Sequence, residues 1–219
     1  MRQDVDNHRQ EDEGETMLTH VWGLLTHPKV EWKEIDREHE SVRHLYAHHV
    51  LILAAIPVVC AFIGTTQVGW GFGGDHPFIK LDLFSALLAG IAFYVAILAA
   101  VVAVGHVIRT MAKRFRKPPS SRRCVIFAGY IATPMFLSGI AAVYPLVWLC
   151  LLAGIIGLCL SAYLLYLGIP YFLGISSEEG FIVSSTTLAV GVLILEALLS
   201  VTVILWGYGE VLLPWLFRF

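Results

Sequence analysis

Four long stretches of this chain carry almost no charge, and that leaves it very few ways to fold. No Asp, Glu, Lys or Arg lies between Arg43 and Asp75, from Leu83 to His106, or from Cys124 to Ser177. The run 180–209 holds a single acid, Glu196. A helix crossing a hydrocarbon layer of about 30 Å needs roughly 20 such residues at about 1.5 Å each. Apolar stretches of that length, repeated along the chain, exclude a large soluble domain and define a polytopic membrane protein. The balance of 57% hydrophobic to 15% charged residues is enough for one bundle of membrane helices.

The expected fold is all-α, with spans near 47–69, 83–107, 124–143, 146–170 and 182–206. The stretch 124–177 is too long for one helix and breaks at Tyr144-Pro145, where proline restricts its predecessor and cannot continue the helical ladder. Residues 1–16 read as a disordered acidic tail (Asp4, Asp6, Glu11, Asp12, Glu13, Glu15) and 17–44 as a cytoplasmic juxtamembrane, amphipathic helical segment. The five-helix domain takes 45–208, and 209–219 forms an external aromatic segment. The apolar stretch 21–25 is too short for a signal-peptide core. Cys60, Cys124, Cys150 and Cys159 lie in apolar spans without a CxxC pattern and read as small buried hydrophobes.

Basic residues set the orientation. The loop after the second span carries Arg109, Lys113, Arg114, Arg116, Lys117, Arg122 and Arg123 with no acid among them, and Lys29, Lys33, Arg37 and Arg43 precede the first span. Only Lys80 and Arg218 lie on the other side. The positive-inside rule therefore expects the N-terminus and basic loop in the cytoplasm and the C-terminus outside, periplasmic in a bacterium. The loop's seven cations are candidates for docking an anionic lipid or a cytoplasmic protein; the plain alternative is that they only fix topology. The loop lacks interleaved aromatics, which speaks against nucleic acid.

Glu196 is the first candidate for intramembrane chemistry, because an ionised carboxylate at a helix centre costs about 2.5–3.5 kcal/mol on insertion scales. Its helical neighbours Ser185, Ala189, Val192, Ser200, Val203 and Gly207 make a small, polar stripe, expected to face the bundle or a second subunit. Tyr130, Tyr163 and Tyr166 are candidate partners for it, and His106 is the second ionisable candidate. Either Glu196 handles protons or cations, or it is a hydrogen bond that pins the fifth span. Gly154, Gly157, Ser161 and Gly168, with Gly129, Thr133, Pro134 and Ser138, read as packing surfaces, Pro134 freeing a mid-membrane carbonyl. His44 and His48 share a helix face and are weak metal candidates without a Cys or HExxH partner. No nucleophile–base pair, phosphate loop or cofactor motif is present, so no cofactor and no enzyme class is implied.

Three segments resemble a known family. Leu24-Leu25-Thr26-His27-Pro28 with Glu31-Trp32-Lys33-Glu34-Ile35, then Gly129-Tyr130-Ile131-Ala132-Thr133-Pro134, then Tyr163-Leu164-Leu165-Tyr166-Leu167-Gly168-Ile169-Pro170 are similar to signatures of the bacterial branch of the Yip (Ypt-interacting protein) family. The resemblance runs from Met17 to about Tyr208. It implies a five-span domain with a cytoplasmic N-terminus in the inner membrane, and no reaction. Eukaryotic relatives act with small GTPases in vesicle traffic, but this chain lacks their Asp-Leu-Tyr-Gly-Pro motif. Two readings stay open: a non-catalytic scaffold or adaptor with a basic cytoplasmic docking face, or a small oligomeric transporter or channel using Glu196.

Overall fold

The computed structural model describes residues 43–71, 78–115 and 118–216, with side chains described over 50–200 of these. Among the described residues five helices are long and apolar enough to cross a membrane, and there is no strand beyond isolated bridges. They are α1 (Arg43–Ile63, continued by a π-helical turn, Gly64–Val68), α2 (Leu83–Ala112), α3 (Ser121–Ser138, tightening into a 3-10 turn, Gly139–Val143), α4 (Val147–Leu173) and α5 (Ser177–Leu216). The break expected at Tyr144-Pro145 separates α3 from α4. The tail 1–16 and nearly all of the juxtamembrane segment 17–44 lie outside the described residues.

Short polar sequences start the helices. Asp82 caps α2, its carboxylate accepting the Ser85 N–H at 3.0 Å, and Ser120 caps α3, accepting the Arg123 N–H at 3.3 Å. Ser176 and Glu179 form a reciprocal cap on α5: Ser176 Oγ accepts from the Glu179 N–H at 3.2 Å, and the Glu179 carboxylate accepts from the Ser176 N–H at 3.3 Å. Gly174 ends α4 at φ 62°, a left-handed conformation that favours glycine. These caps lengthen the helices beyond the apolar stretches, and α5 continues to Leu216, past the expected end near 206.

α3 is the central helix: 50% of its span is buried, against at most 22% in any other. It packs on α1, α2 and α4, and α5 closes the far side against α2 and α4. Ala54, Ile97, Ile108, Phe127, Tyr130 and Leu164 are among the core. Two glycines set the spacing. Gly105 on α2 lies against the Val125 backbone of α3, and Gly157 on α4 lies against Ser138 and the Pro134 carbonyl. Gly154, expected on a packing surface, has nothing within 4 Å. Of the cysteines, only Cys124 is fully buried, and Cys159 is exposed on the bundle surface.

At the end away from the basic residues, the segment after α1 is stitched to the α3–α4 turn. Trp70 and Ile79 exchange backbone hydrogen bonds of 2.9 and 3.0 Å, and the Val147 N–H donates to the Gly71 carbonyl at 3.0 Å.

Candidate functional site

Helix ends place five cations together at the basic end of the bundle. Arg109, Lys113 and Arg114 come from the end of α2 and the residues after it, and Arg122 and Arg123 from the first turn of α3. Arg116 and Lys117 lie outside the described residues. The Arg123 guanidinium carbon sits 5.6 Å from the centre of the Phe172 ring, which stacks on Phe127 at 4.3 Å. This ties the start of α3 to the end of α4 and fixes the cationic rim on packed helices. Arg109 complements the negative end of α2's dipole, whereas Arg122 and Arg123 oppose the positive end of α3's, at about 0.3–1 kcal/mol each when exposed. Arg122 and Arg123, set beside the positive end of α3, add to a local field that attracts anions.

Glu196 is not inside the bundle. Of the described α5 side chains, Val183, Ser184 and Thr187 are buried near the start of the helix, whereas Ala189, Val192, Glu196 and Ser200 are exposed. Of the stripe expected to face the bundle or a second subunit, Ser185 meets α4, whereas Ala189, Val192, Glu196 and Ser200 turn away from this chain's own bundle. Among the described residues, no hydrogen bond or ion pair reaches the Glu196 carboxylate. Ser184 Oγ donates to the Leu165 carbonyl and Tyr166 pairs with Ser185, an antiparallel register that puts Glu196 level with Gly154. Gly154 follows the start of α4 at Val147 closely enough to place Glu196 only about 10 Å inside the end of the bundle opposite the cations.

The three tyrosines do not converge on it. Tyr166 Oη and Ser185 Oγ are 2.8 Å apart, Tyr163 is 55% exposed, and Tyr130 is buried in the core. His106 sits near the basic end, exposed on α2, so the two intramembrane ionisable candidates lie toward opposite ends of the molecule. His106 also borders a shallow, open apolar groove of about 660 Å³ on one face of α2, lined by Val95, Leu98, Ala99, Val102 and Ala103.

Sequence reasoning missed a layer of hydroxyls in the bundle centre. Ser161 on α4 and Thr187 on α5 are buried with their hydroxyl oxygens unpartnered, next to the long Ser184–Leu165 hydrogen bond of 3.4 Å. The signal was the run Ser184-Ser185-Thr186-Thr187 inside an apolar span, of which 184 and 187 share a face. The side chains of His44 and His48 lie outside the described ones, and no group of three potential metal ligands occurs among the described residues.

A five-span helical bundle with a cationic rim at one end is the class that the geometry defines. The chain belongs to the Yip1 domain family, whose model matches residues 22–198. It is similar to the inner membrane protein YohC of Escherichia coli strain K12, 57% identical over 192 residues that cover 88% of this chain and 98% of that protein. The protein of the same name from Escherichia coli O6:H1 strain CFT073 shows the same identity and coverage. No solved structure matches the chain.

Proposed function

We propose that this protein is a non-catalytic scaffold of a bacterial inner membrane, recruiting an acidic cytoplasmic partner to its basic end. The observation that carries this is the rim of Arg109, Lys113, Arg114, Arg122 and Arg123, held on packed helix ends with two of its arginines set against their helix dipole. Charge asymmetry orients that end, and the N-terminus, toward the cytoplasm. The relative's name, inner membrane protein, agrees with the location.

Against the transporter reading, no path within one chain joins the two intramembrane ionisable candidates. Glu196 lies on the outside of the bundle toward one end, and His106 lies toward the other. The exposed stripe of Ala189, Val192, Glu196 and Ser200 serves instead as the contact for a second copy of the chain. Small side chains allow helices to approach closely, and covering the carboxyl removes a charged group from lipid.

A photocrosslinking residue at Lys113 tests the docking role in cells. The expected result is a discrete protein adduct whose yield falls when Arg109, Arg114 and Arg122 are changed to Glu. Absence of any discrete adduct, or an adduct indifferent to those charges, contradicts the adaptor.

A further inference from the structure

The groove on α2 has features that the docking reading leaves unused. Val95, Leu98, Ala99, Val102, Ala103 and His106 follow each other at three- and four-residue spacing, so they form one face of the helix. Val95 and Val102 stand out at 59% and 54% exposure, and the methyl groups of Ala99 and Ala103 leave the depression between them. From Val95 to His106 the face runs about 16 Å at the α-helical rise, close to half of a hydrocarbon core of about 30 Å. Val95 lies near the middle of α2 and His106 near its basic end, so the groove extends over one leaflet.

The same face continues past His106. Arg109 and Lys113 follow three and seven residues later, with Thr110 between them spending its hydroxyl on the His106 carbonyl at 2.9 Å. The mouth of an apolar, leaflet-long groove is therefore cationic. Between Asp82 and Glu178 the chain has no acid; the two acids at this end, Glu178 and Glu179, stand in the first turn of α5 rather than on α2, and Glu179 is turned onto Ser176. Apolar floor, cationic mouth and leaflet length together describe a lipid, tail inward and headgroup at the mouth.

We infer that this groove holds one acyl chain of an anionic phospholipid, whose headgroup phosphate sits at His106, Arg109 and Lys113. The inference rests on reading the basic end as an anion-docking face, and adds that part of this face is completed by a bound lipid. A phosphate there accepts hydrogen bonds from Arg109 and Lys113, which supply charge, while the groove selects by shape. Loose electrostatic attraction to an anionic leaflet would need no groove.

Native mass spectrometry of the detergent-purified full chain, with dioleoyl phosphatidylglycerol or dioleoyl phosphatidylcholine added, separates these cases. The wild type is expected to retain one phosphatidylglycerol at least about tenfold better than phosphatidylcholine, a preference that two cations near an anionic headgroup supply. Ala99→Phe with Ala103→Phe fills the groove and leaves every cation in place, and should reduce retained phosphatidylglycerol to the phosphatidylcholine level. Arg109→Gln with Lys113→Gln leaves the groove open and should remove the preference between the two lipids. Unchanged phosphatidylglycerol retention in the filled variant overturns the inference, as does equal retention of both lipids by the wild type. Ala99→Leu replaces the double variant if the latter fails to elute as a single folded species; Ala99 is exposed, so the larger side chain meets no core atom. Crosslinking from position 113 in the filled variant reports on the docking reading separately, because Arg109, Arg114, Arg122 and Arg123 stay in place.

Discussion

Gly105→Ala tests how α2 and α3 hold the basic corner together. A Cβ at Gly105 would stand 2.6 Å from Val125 Cα, 2.8 Å from its Cγ2 and 2.9 Å from its backbone nitrogen. Two of these three atoms are backbone in the second turn of α3, which cannot rotate aside. Carbon atoms rest at about 3.5–4.0 Å, so the helices must part by roughly 1 Å. That movement loosens Ile108, Ala112 and Cys124, all fully buried nearby on the same two helices. Overpacking of this kind costs about 1–3 kcal/mol, and a backbone clash belongs at the upper end. Alanine returns about 1 kcal/mol through helix propensity. The net expected loss is about 1–2 kcal/mol, or about 2–8 °C in melting temperature for a chain of this size. Thermal unfolding in detergent measures it, with Gly154→Ala as the control. Gly154 has open space around it, so alanine there should be neutral or stabilising by up to about 1 kcal/mol. Gly105→Ala melting at or above wild type would refute the close approach of the two helices.

Tyr166→Phe removes the hydrogen bond to Ser185 and should cost about 0.6 kcal/mol, the typical value between membrane helices; adding Ser185→Ala should cost little more, as a double-mutant cycle in thermal melts would show. Glu196→Leu should leave the melting temperature of the single chain unchanged, since no described group in the bundle reaches the carboxylate, while lowering the dimer fraction seen by mass photometry. The Ser85 backbone N–H, and then its hydroxyl, hold the Asp82 carboxyl below the usual carboxylate range. A depressed folded value means that the ionised carboxylate adds stability at neutral pH and that this added part is lost as pH falls through that value. Asp82→Ala should therefore lower the melting temperature more at neutral pH than in strong acid, where the carboxyl is protonated, and Asp82→Asn should lose less than Asp82→Ala.

The fold was legible because hydrocarbon thickness imposes itself on the sequence. Runs with no charge, or with Glu196 alone, located all five spans, and Pro145 marked the α3–α4 turn. Helix ends were less legible, since Asp82, Ser120 and Ser176 cap the helices through local hydrogen bonds that hydropathy does not register. The surroundings of Glu196 were not legible either. Helical periodicity shows which residues share a face, but not which neighbour that face meets. α5 meets α4 through Ser184, Ser185 and Thr187 near its start, and further along Ala189, Val192, Glu196 and Ser200 turn outward. Tyr166 was a reasonable partner by depth, but its hydroxyl is taken by Ser185, a residue on the Glu196 stripe about three turns earlier. The α2 groove escaped notice because Ala99 and Ala103 look like ordinary packing residues until the structure leaves them uncovered.

Proton and cation flux in proteoliposomes, comparing wild type with Glu196→Gln, bears most directly on whether this protein is a scaffold. The expected result is no flux above empty liposomes for either protein, across several ions and pH values. A wild-type flux that Glu196→Gln abolishes would put the carboxyl on a conduction path and contradict the scaffold.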